Sequence, residues 1–267
     1  MTDDDPTARL TGHEVVVPGT PDEVWRAIAT GPGHAAWLFP ADIDPAPGGA
    51  MTVRREPYGE TAHATVTDWD PPHRFGYEEP AGPDAPPLAT EFLVQAAGGG
   101  SCVVRVVNGF RHGGEGWEDL VDGAGEGWRM SLTVLRAYLT HFAGLPAGNV
   151  DVLVGLGLPA AERPRAAAVL DLLLGIAGAA AGTPFRTPAR VPELAGTVED
   201  RSPGYVLLRA AEPYPALYAL SCFPMAPGAP LSANLLARLY GAPPGAAARE
   251  EDRWRTWLTG ARSAFDN

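Results

Sequence analysis

The run SCVVRVVNGF, residues 101–110, sets one cation, Arg105, among four valines. Strand alternation places Val103, Arg105 and Val107 on one face and Cys102, Val104 and Val106 on the other. Pointing into an apolar interior, Arg105 would anchor a ligand carboxylate or phenolate through charge-assisted hydrogen bonds. Pointing outward, it is an ordinary residue of a half-exposed sheet. Asp68, Asp70, Glu78 and Glu79 could supply paired carboxylates for acid/base work, but WDPPH and EEPAGP put them at strand ends and beside a loop. His112, in GFRHGGEGWED, has Glu115, Glu118 and Asp119 close in sequence, which suits a metal or an acid/base pair; the glycines around it equally describe a solvated loop. Six histidines (13, 34, 63, 73, 112, 141) form no H-E-x-x-H spacing, and the two cysteines form no C-x-x-C. The sequence therefore assigns no catalytic residue, no metal ligand and no cofactor.

Composition removes whole classes of chemistry. All 20 basic residues are arginine, so no side-chain amine exists for a Schiff base and no P-loop lysine for a nucleotide phosphate. Alanine, glycine and proline are abundant, as in proteins encoded by GC-rich bacterial genomes. No G-x-S-x-G elbow is present, and the glycine run of AAGGGSC lies in a hairpin instead of opening a helix. Residues 1–145 carry 21 acidic and 9 basic side chains, residues 146–267 carry 11 of each, and no polybasic run occurs. Neither nucleic acid nor an anionic membrane is an expected partner. Cys102 and Cys222 fall one in each half and are read as free thiols, and MTDDDPTARL lacks the pattern of a secretory signal, so the expected location is the cytoplasm. The most apolar run, residues 166–181, is too short to span a bilayer and carries Asp171, so it reads as a buried helix.

The elements that must position these groups follow from periodicity. HEVVV reads as a strand, and TPDEVWRAIA opens a helix with Thr20 as N-cap, Pro21 in the first turn and Glu23 as the returning capping-box partner. Residues 31–40 read as a short helix or loop turning Trp37, Leu38 and Phe39 inward. AMTVRRE, AHATVTDWD, RFGYEEP, LATEFLVQA and SCVVRVVNGF then form an antiparallel meander, because their connections are too short for crossover helices. From Gly116 to Phe142 the period becomes helical, with Trp128, Leu132, Leu135, Leu139 and Phe142 on one face.

LPAGN, residues 145–149, is the expected boundary between domains 10–144 and 150–267. Beyond it the order replays: VDVLVGLGL as a strand, Pro164 to Ala180 as a helix, GTVEDRSPGYVLLRAAEP against ATVTDWDPPHRFGYEEP, two further strands, and WRTWLTGAR against WRMSLTVLR. A tryptophan kept in both terminal helices, Trp128 and Trp254, reads as an anchor of helix to sheet.

PGTPDEVWRAI, Trp37, the PGG of residues 47–49, ATVTDWDPPHRFGY, SCVVRVVNGF and the terminal GW…L…L…YL pattern, in this order, resemble the SRPBCC (START-like, Bet v 1-like) superfamily, in the branch similar to the C-terminal domain of the heat-shock-protein-90 ATPase activator. The resemblance covers residues 12–142. The second half lacks counterparts to the helix start, to Trp37 and to the Pro-Gly-Gly turn, and reads as a diverged copy. The resemblance implies an α+β helix-grip fold, a curved antiparallel sheet around a long C-terminal helix, in two tandem copies. It also implies a cavity for apolar small molecules and no shared catalytic residues.

The expected function is binding of an apolar or aromatic small molecule in the first domain, without catalysis. Trp37, Phe39, Arg105, Trp117, Tyr77 and Glu91 are the candidate ligand contacts. Two other readings stay open: a protein-interaction or stress-related module like the chaperone activator, and a polyketide cyclase or aromatase, for which His63, Tyr77, Glu91 and Arg105 are the titratable candidates. The partners expected are a hydrophobic ligand, with room for a homodimer.

Overall fold

The computed structural model describes residues 9–82, 86–110, 118–226 and 228–265, with the backbone alone for residues 9 and 118–126. Its contacts divide the chain into two units, Met1–Gly144 and Leu145–Asn267.

The first unit opens with strand β1 (Arg9–Pro18), followed by helices α1 (Pro21–Ala29) and α2 (Gly31–Ala35). Six more strands follow: β2 (Ala41–Ile43), β3 (Ala50–Val53), β4 (Ala62–Asp70), β5 (Arg74–Glu79), β6 (Leu88–Gly98) and β7 (Ser101–Phe110). Helix α3 (Glu118–His141) closes the unit. The sheet runs β1-β7-β6-β5-β4-β3-β2, antiparallel throughout, so the first strand zips onto the last and the meander fans away from that pair. The capping box forms as the sequence requires: Glu23 N donates to Thr20 Oγ1 at 3.3 Å, and Glu23 Oε2 accepts from Thr20 N at 2.7 Å. Thr20 starts the helix; its far end is closed by tertiary partners. Thr30 Oγ1 donates to Arg26 O at 2.7 Å and the Trp37 indole N–H donates to Ala27 O at 3.0 Å, satisfying carbonyls that α1 itself leaves unpaired.

The second unit repeats this order with one strand and one α-helix fewer: β8 (Ala147–Gly155), α4 (Arg163–Leu174), β9 (Pro184–Arg186), β10 (Ala195–Ser202), β11 (Tyr205–Glu212), β12 (Ala216–Pro224), β13 (Leu231–Tyr240) and α5 (Ala246–Ala261). Its sheet runs β8-β13-β12-β11-β10-β9, the order of the first sheet without its outermost strand. The two units are thus α+β domains of one topology, each with a long C-terminal helix. Trp254 is fully buried on α5 with its ring 5.7 Å from Tyr218 of β12; Trp128 on α3 is half-buried with its ring 5.6 Å from Phe92 of β6. Both anchor helix to sheet.

Three expectations shift in detail. Strand β8 starts at Ala147, inside the expected linker. Helix α4 stops at Leu174 instead of Ala180, because Gly175 takes a left-handed cap (φ 72°) and folds its N–H back onto Asp171 O and Leu172 O. The three-residue edge strands β2 and β9 escape periodicity, being too short to show any.

Candidate functional site

The inner face of the first sheet is defined by Phe92, whose ring meets Trp128 of α3 edge-on. Register fixes what shares that face: Phe92 pairs with Phe75 on one side and Val106 on the other, and Val106 pairs with His13. Aromatic rings fill the end of this face beneath α1. Phe75 stacks on Phe92 at 6.0 Å, Trp37 meets Phe92 edge-on at 6.3 Å, and Trp25 of α1 meets Trp69 edge-on at 5.1 Å. These rings bury apolar area and lock the small helices to the sheet.

Two residues further along the strands the face turns polar. Tyr77 pairs with Thr90, Thr90 with Asn108, and Asn108 with Thr11, so four adjacent strands carry a polar row across an otherwise apolar surface. Tyr77, Thr90 and Asn108 are all buried. The Asn108 amide nitrogen donates to Thr90 Oγ1 at 2.7 Å and to Ala89 O at 3.1 Å. Its oxygen, Oδ1, is buried and has no partner among the described residues. Burial pushes the Tyr77 phenol far above its ordinary range, and the nearby Glu79 carboxylate adds to the effect, so the phenol keeps its proton. Glu79, also buried on this face, meets Arg55, with Arg55 Nη2 2.9 Å from Glu79 Oε2. The row therefore places the Tyr77 hydroxyl, hydrogen-bonded to Thr90, and the Asn108 amide acceptor on strands separated by β6. Fixed groups of this kind orient a bound molecule without losing side-chain entropy.

His13 stands beside the row, with its Nε2 buried and unpartnered among the described residues. Burial lowers its pKa below 6.5, and the positive Arg129 on α3 lowers it further. The folded state then prefers neutral imidazole, whereas the unfolded chain takes up a proton from about pH 6.5 downward. The contribution to stability is complete above that pH and is lost as pH falls toward the folded-state value. In urea titrations at pH 7.5 and pH 5, His13→Gln is expected to lose less midpoint on acidification than the wild type. Equal losses would remove His13 from this role.

The structure brings some of the sequence-read residues together and separates others. Tyr77 belongs to the polar row. Trp37 sits at the aromatic end, with no exposed surface and its indole N–H already satisfied by α1, so it supports the wall from behind. Phe39 is half-buried against Tyr58 at 5.7 Å. Arg105 and Glu91 alternate onto the outer face, opposite Val106 and Phe92. Arg105 is exposed and lies over Gly12, so it cannot anchor a ligand inside, and Glu91 is held by Arg74, whose Nε lies 2.9 Å away. His63 is exposed. Trp117, His112 and Glu115 lie outside the described residues, as do the side chains of Glu118 and Asp119.

Thr90, Asn108, His13 and Arg55 were not singled out by sequence reasoning. One signal was available for Asn108: on the Cys102, Val104, Val106 face it is the first strongly polar residue. Among the described residues no group of three His, Cys, Asp or Glu side chains could hold a metal ion, and no helix is long and apolar enough to cross a membrane.

No curated protein matches the chain. Among solved structures, the Aha1 dimer from Colwellia psychrerythraea is 18% identical and covers 51% of this chain and 99% of that one, with a TM-score of 0.42. CalU16 from Micromonospora echinospora is 19% identical over 50% of this chain and 78% of that one, with a TM-score of 0.42. The di-domain ARO/CYC BexL from the BE-7585A biosynthetic pathway is 14% identical over 97% of this chain and 96% of that one, with a TM-score of 0.46. The family model described as Activator of Hsp90 ATPase homolog 1-like protein matches residues 18–140, from the end of β1 through α3. The match falls within the first unit, which holds the polar row and is thereby similar to the Activator of Hsp90 ATPase homolog 1-like family.

Proposed function

We propose that the first unit binds a hydroxylated aromatic small molecule between the inner face of its sheet and α3. The observation that carries the reading is the buried Asn108 Oδ1, which has no partner among the described residues, in a row that continues through Thr90 to the Tyr77 hydroxyl. An unpaired buried acceptor costs about 1–3 kcal/mol, and a ligand hydroxyl reaching it recovers that cost. The stacked Phe75 and Phe92 and the Trp128 ring supply an apolar flank for a ring system.

Titration of the full chain with 2-naphthol and with naphthalene separates the polar from the apolar contribution. Asn108→Leu and Thr90→Val are expected to weaken 2-naphthol by roughly tenfold, the value of one good buried hydrogen bond, and to change naphthalene by less than threefold. Equal affinity for 2-naphthol in wild type and variants would mean that the row is satisfied by water alone, and the reading would fail.

A further inference from the structure

The second sheet is apolar where the first carries its polar row. Val206 pairs with Leu220 as Phe75 pairs with Phe92. Two residues further along, Leu208 pairs with Tyr218 and Tyr218 with Ala237, where the first sheet has Tyr77, Thr90 and Asn108. The Tyr218 phenol is thus the one polar group of this row, set between aliphatic neighbours on β12 and completely buried. Its hydroxyl has no hydrogen-bond partner among the described residues.

The polar groups near it come from the helix. Glu250 and Trp254 stand four residues apart on α5, one turn above the other on the same side. Trp254 meets the Tyr218 ring at 5.7 Å, and its indole N–H also lacks a partner among the described residues. Glu250 is buried, with 3% of its surface exposed. Its Oε1 accepts from Arg253 Nη1 at 2.7 Å, but its Oε2 is buried and unpaired among the described residues. Burial raises the Tyr218 phenol far above its ordinary range and the Glu250 carboxylate adds to the rise, whereas Arg253 and Trp254 oppose it, so the phenol keeps its proton. Trp254 stands near enough to temper that rise, yet its N–H and the phenol do not complete a hydrogen bond with each other.

Three buried polar atoms from two facing elements therefore lie together without satisfying one another. Buried polar groups in folded proteins are almost always paired, so such a cluster marks the place of a small polar group from outside the chain. The chemistry of the three atoms specifies it. Glu250 Oε2 only accepts, the indole N–H only donates, and the phenol does either. Arg253 already balances the carboxylate, an ammonium has nothing with which to accept from the indole, and a second carboxylate has no proton to give Glu250. A neutral hydroxyl both donates and accepts. Arg253, with 48% of its side chain exposed, and the half-buried Tyr214 mark the side on which the cluster approaches solvent.

We propose that this cluster is a second binding site, in which the hydroxyl of a small neutral organic molecule donates to Glu250 Oε2 and accepts from the Trp254 indole N–H beside the Tyr218 phenol. Leu208 and Ala237, which flank Tyr218 on the sheet, supply apolar contact for the rest of the molecule.

The test is a nuclear magnetic resonance titration of the 15N-labelled full chain with phenol, toluene and benzylamine, which share a ring and differ in the group it carries, with each affinity read from the Trp254 indole signal. Phenol is expected to shift that signal saturably and to bind roughly tenfold more tightly than toluene, the value of one good buried hydrogen bond, with the benzylammonium ion no tighter than toluene. Tyr218→Phe, which keeps the ring, and Glu250→Leu, which removes the acceptor, should each weaken phenol by roughly tenfold and leave toluene within about threefold. Far-ultraviolet circular dichroism checks that each variant is folded, and Tyr218→Phe carries the test if Glu250→Leu is not. A Trp254 indole that does not respond, phenol no tighter than toluene or the ammonium, or phenol unchanged by Tyr218→Phe would mean that water alone satisfies the cluster, and would overturn the proposal. The readout at Trp254 involves neither Asn108 nor 2-naphthol, so the two binding assignments stand or fall separately.

Discussion

Trp37→Ala is expected to destabilise the first unit by about 3–5 kcal/mol, the range for truncating a fully buried tryptophan. The residue has no exposed surface, its ring packs edge-on against Phe92, and its indole N–H closes the end of α1 through Ala27 O. Truncation leaves a cavity and an unpaired helix carbonyl together. Against a domain stability of roughly 5–15 kcal/mol, the loss leaves a marginal fold. Trp37→Phe keeps most of the volume and gives up the hydrogen bond, for a smaller cost of about 1–2 kcal/mol. Urea denaturation of the full chain followed by tryptophan fluorescence measures both. A Trp37→Ala loss below about 1 kcal/mol would mean that the indole is not the strut between α1 and the sheet.

Gly33→Ala should rival that effect by the opposite route. A Cβ at this position would lie 1.9 Å from Arg26 O and 2.8 Å from Ala27 Cα, both backbone atoms of α1 that no rotamer change can move. Helix α2 returns so close to the end of α1 that only a hydrogen fits between them. Overpacking a tight site costs about 1–3 kcal/mol, and a collision with backbone belongs at the top of that range. Thr30, whose hydroxyl bonds both Arg26 O and Gly33 N, would be displaced with it. The same urea titration reports the loss; a variant as stable as wild type would show that the junction between the helices relaxes freely.

Much of the architecture was legible because it rests on local signals. The Thr20–Glu23 capping box, the alternation of ATVTDWD and the 3.6 period around Leu132 and Leu135 each act over a few residues, and each produced the element it announced. The replayed order in the second half was visible for the same reason. The site was less legible, because which face of β7 looks inward is decided by α3, which lies outside the strand's own sequence. Alternation separated Arg105 from Val106 correctly but could not say which of them faced the helix. A conspicuous cation drew attention to the outer face, while Asn108, two residues after Val106 on the inner one, carried an acceptor unpaired among the described residues.

The difference between the units was hidden for a related reason. Aligning residues by sequence offset matches Trp69 to Arg201, but does not show that Val206 and Leu220 pair in the second sheet as Phe75 and Phe92 pair in the first. Volume in a grip between sheet and helix is a sum over four elements. Strand pairing, which no single segment encodes, is needed to add it.

The most direct measurement for the first unit is a nuclear magnetic resonance titration of the 15N-labelled full chain with 2-naphthol, following the Asn108 side-chain amide and the Trp128 indole. Saturable shifts of both signals along one binding curve, absent with naphthalene at the Asn108 amide, are the expected result. Shifts confined to outer-face residues such as Arg105, or an Asn108 amide that does not respond while 2-naphthol binds, would contradict a ligand seated on the polar row.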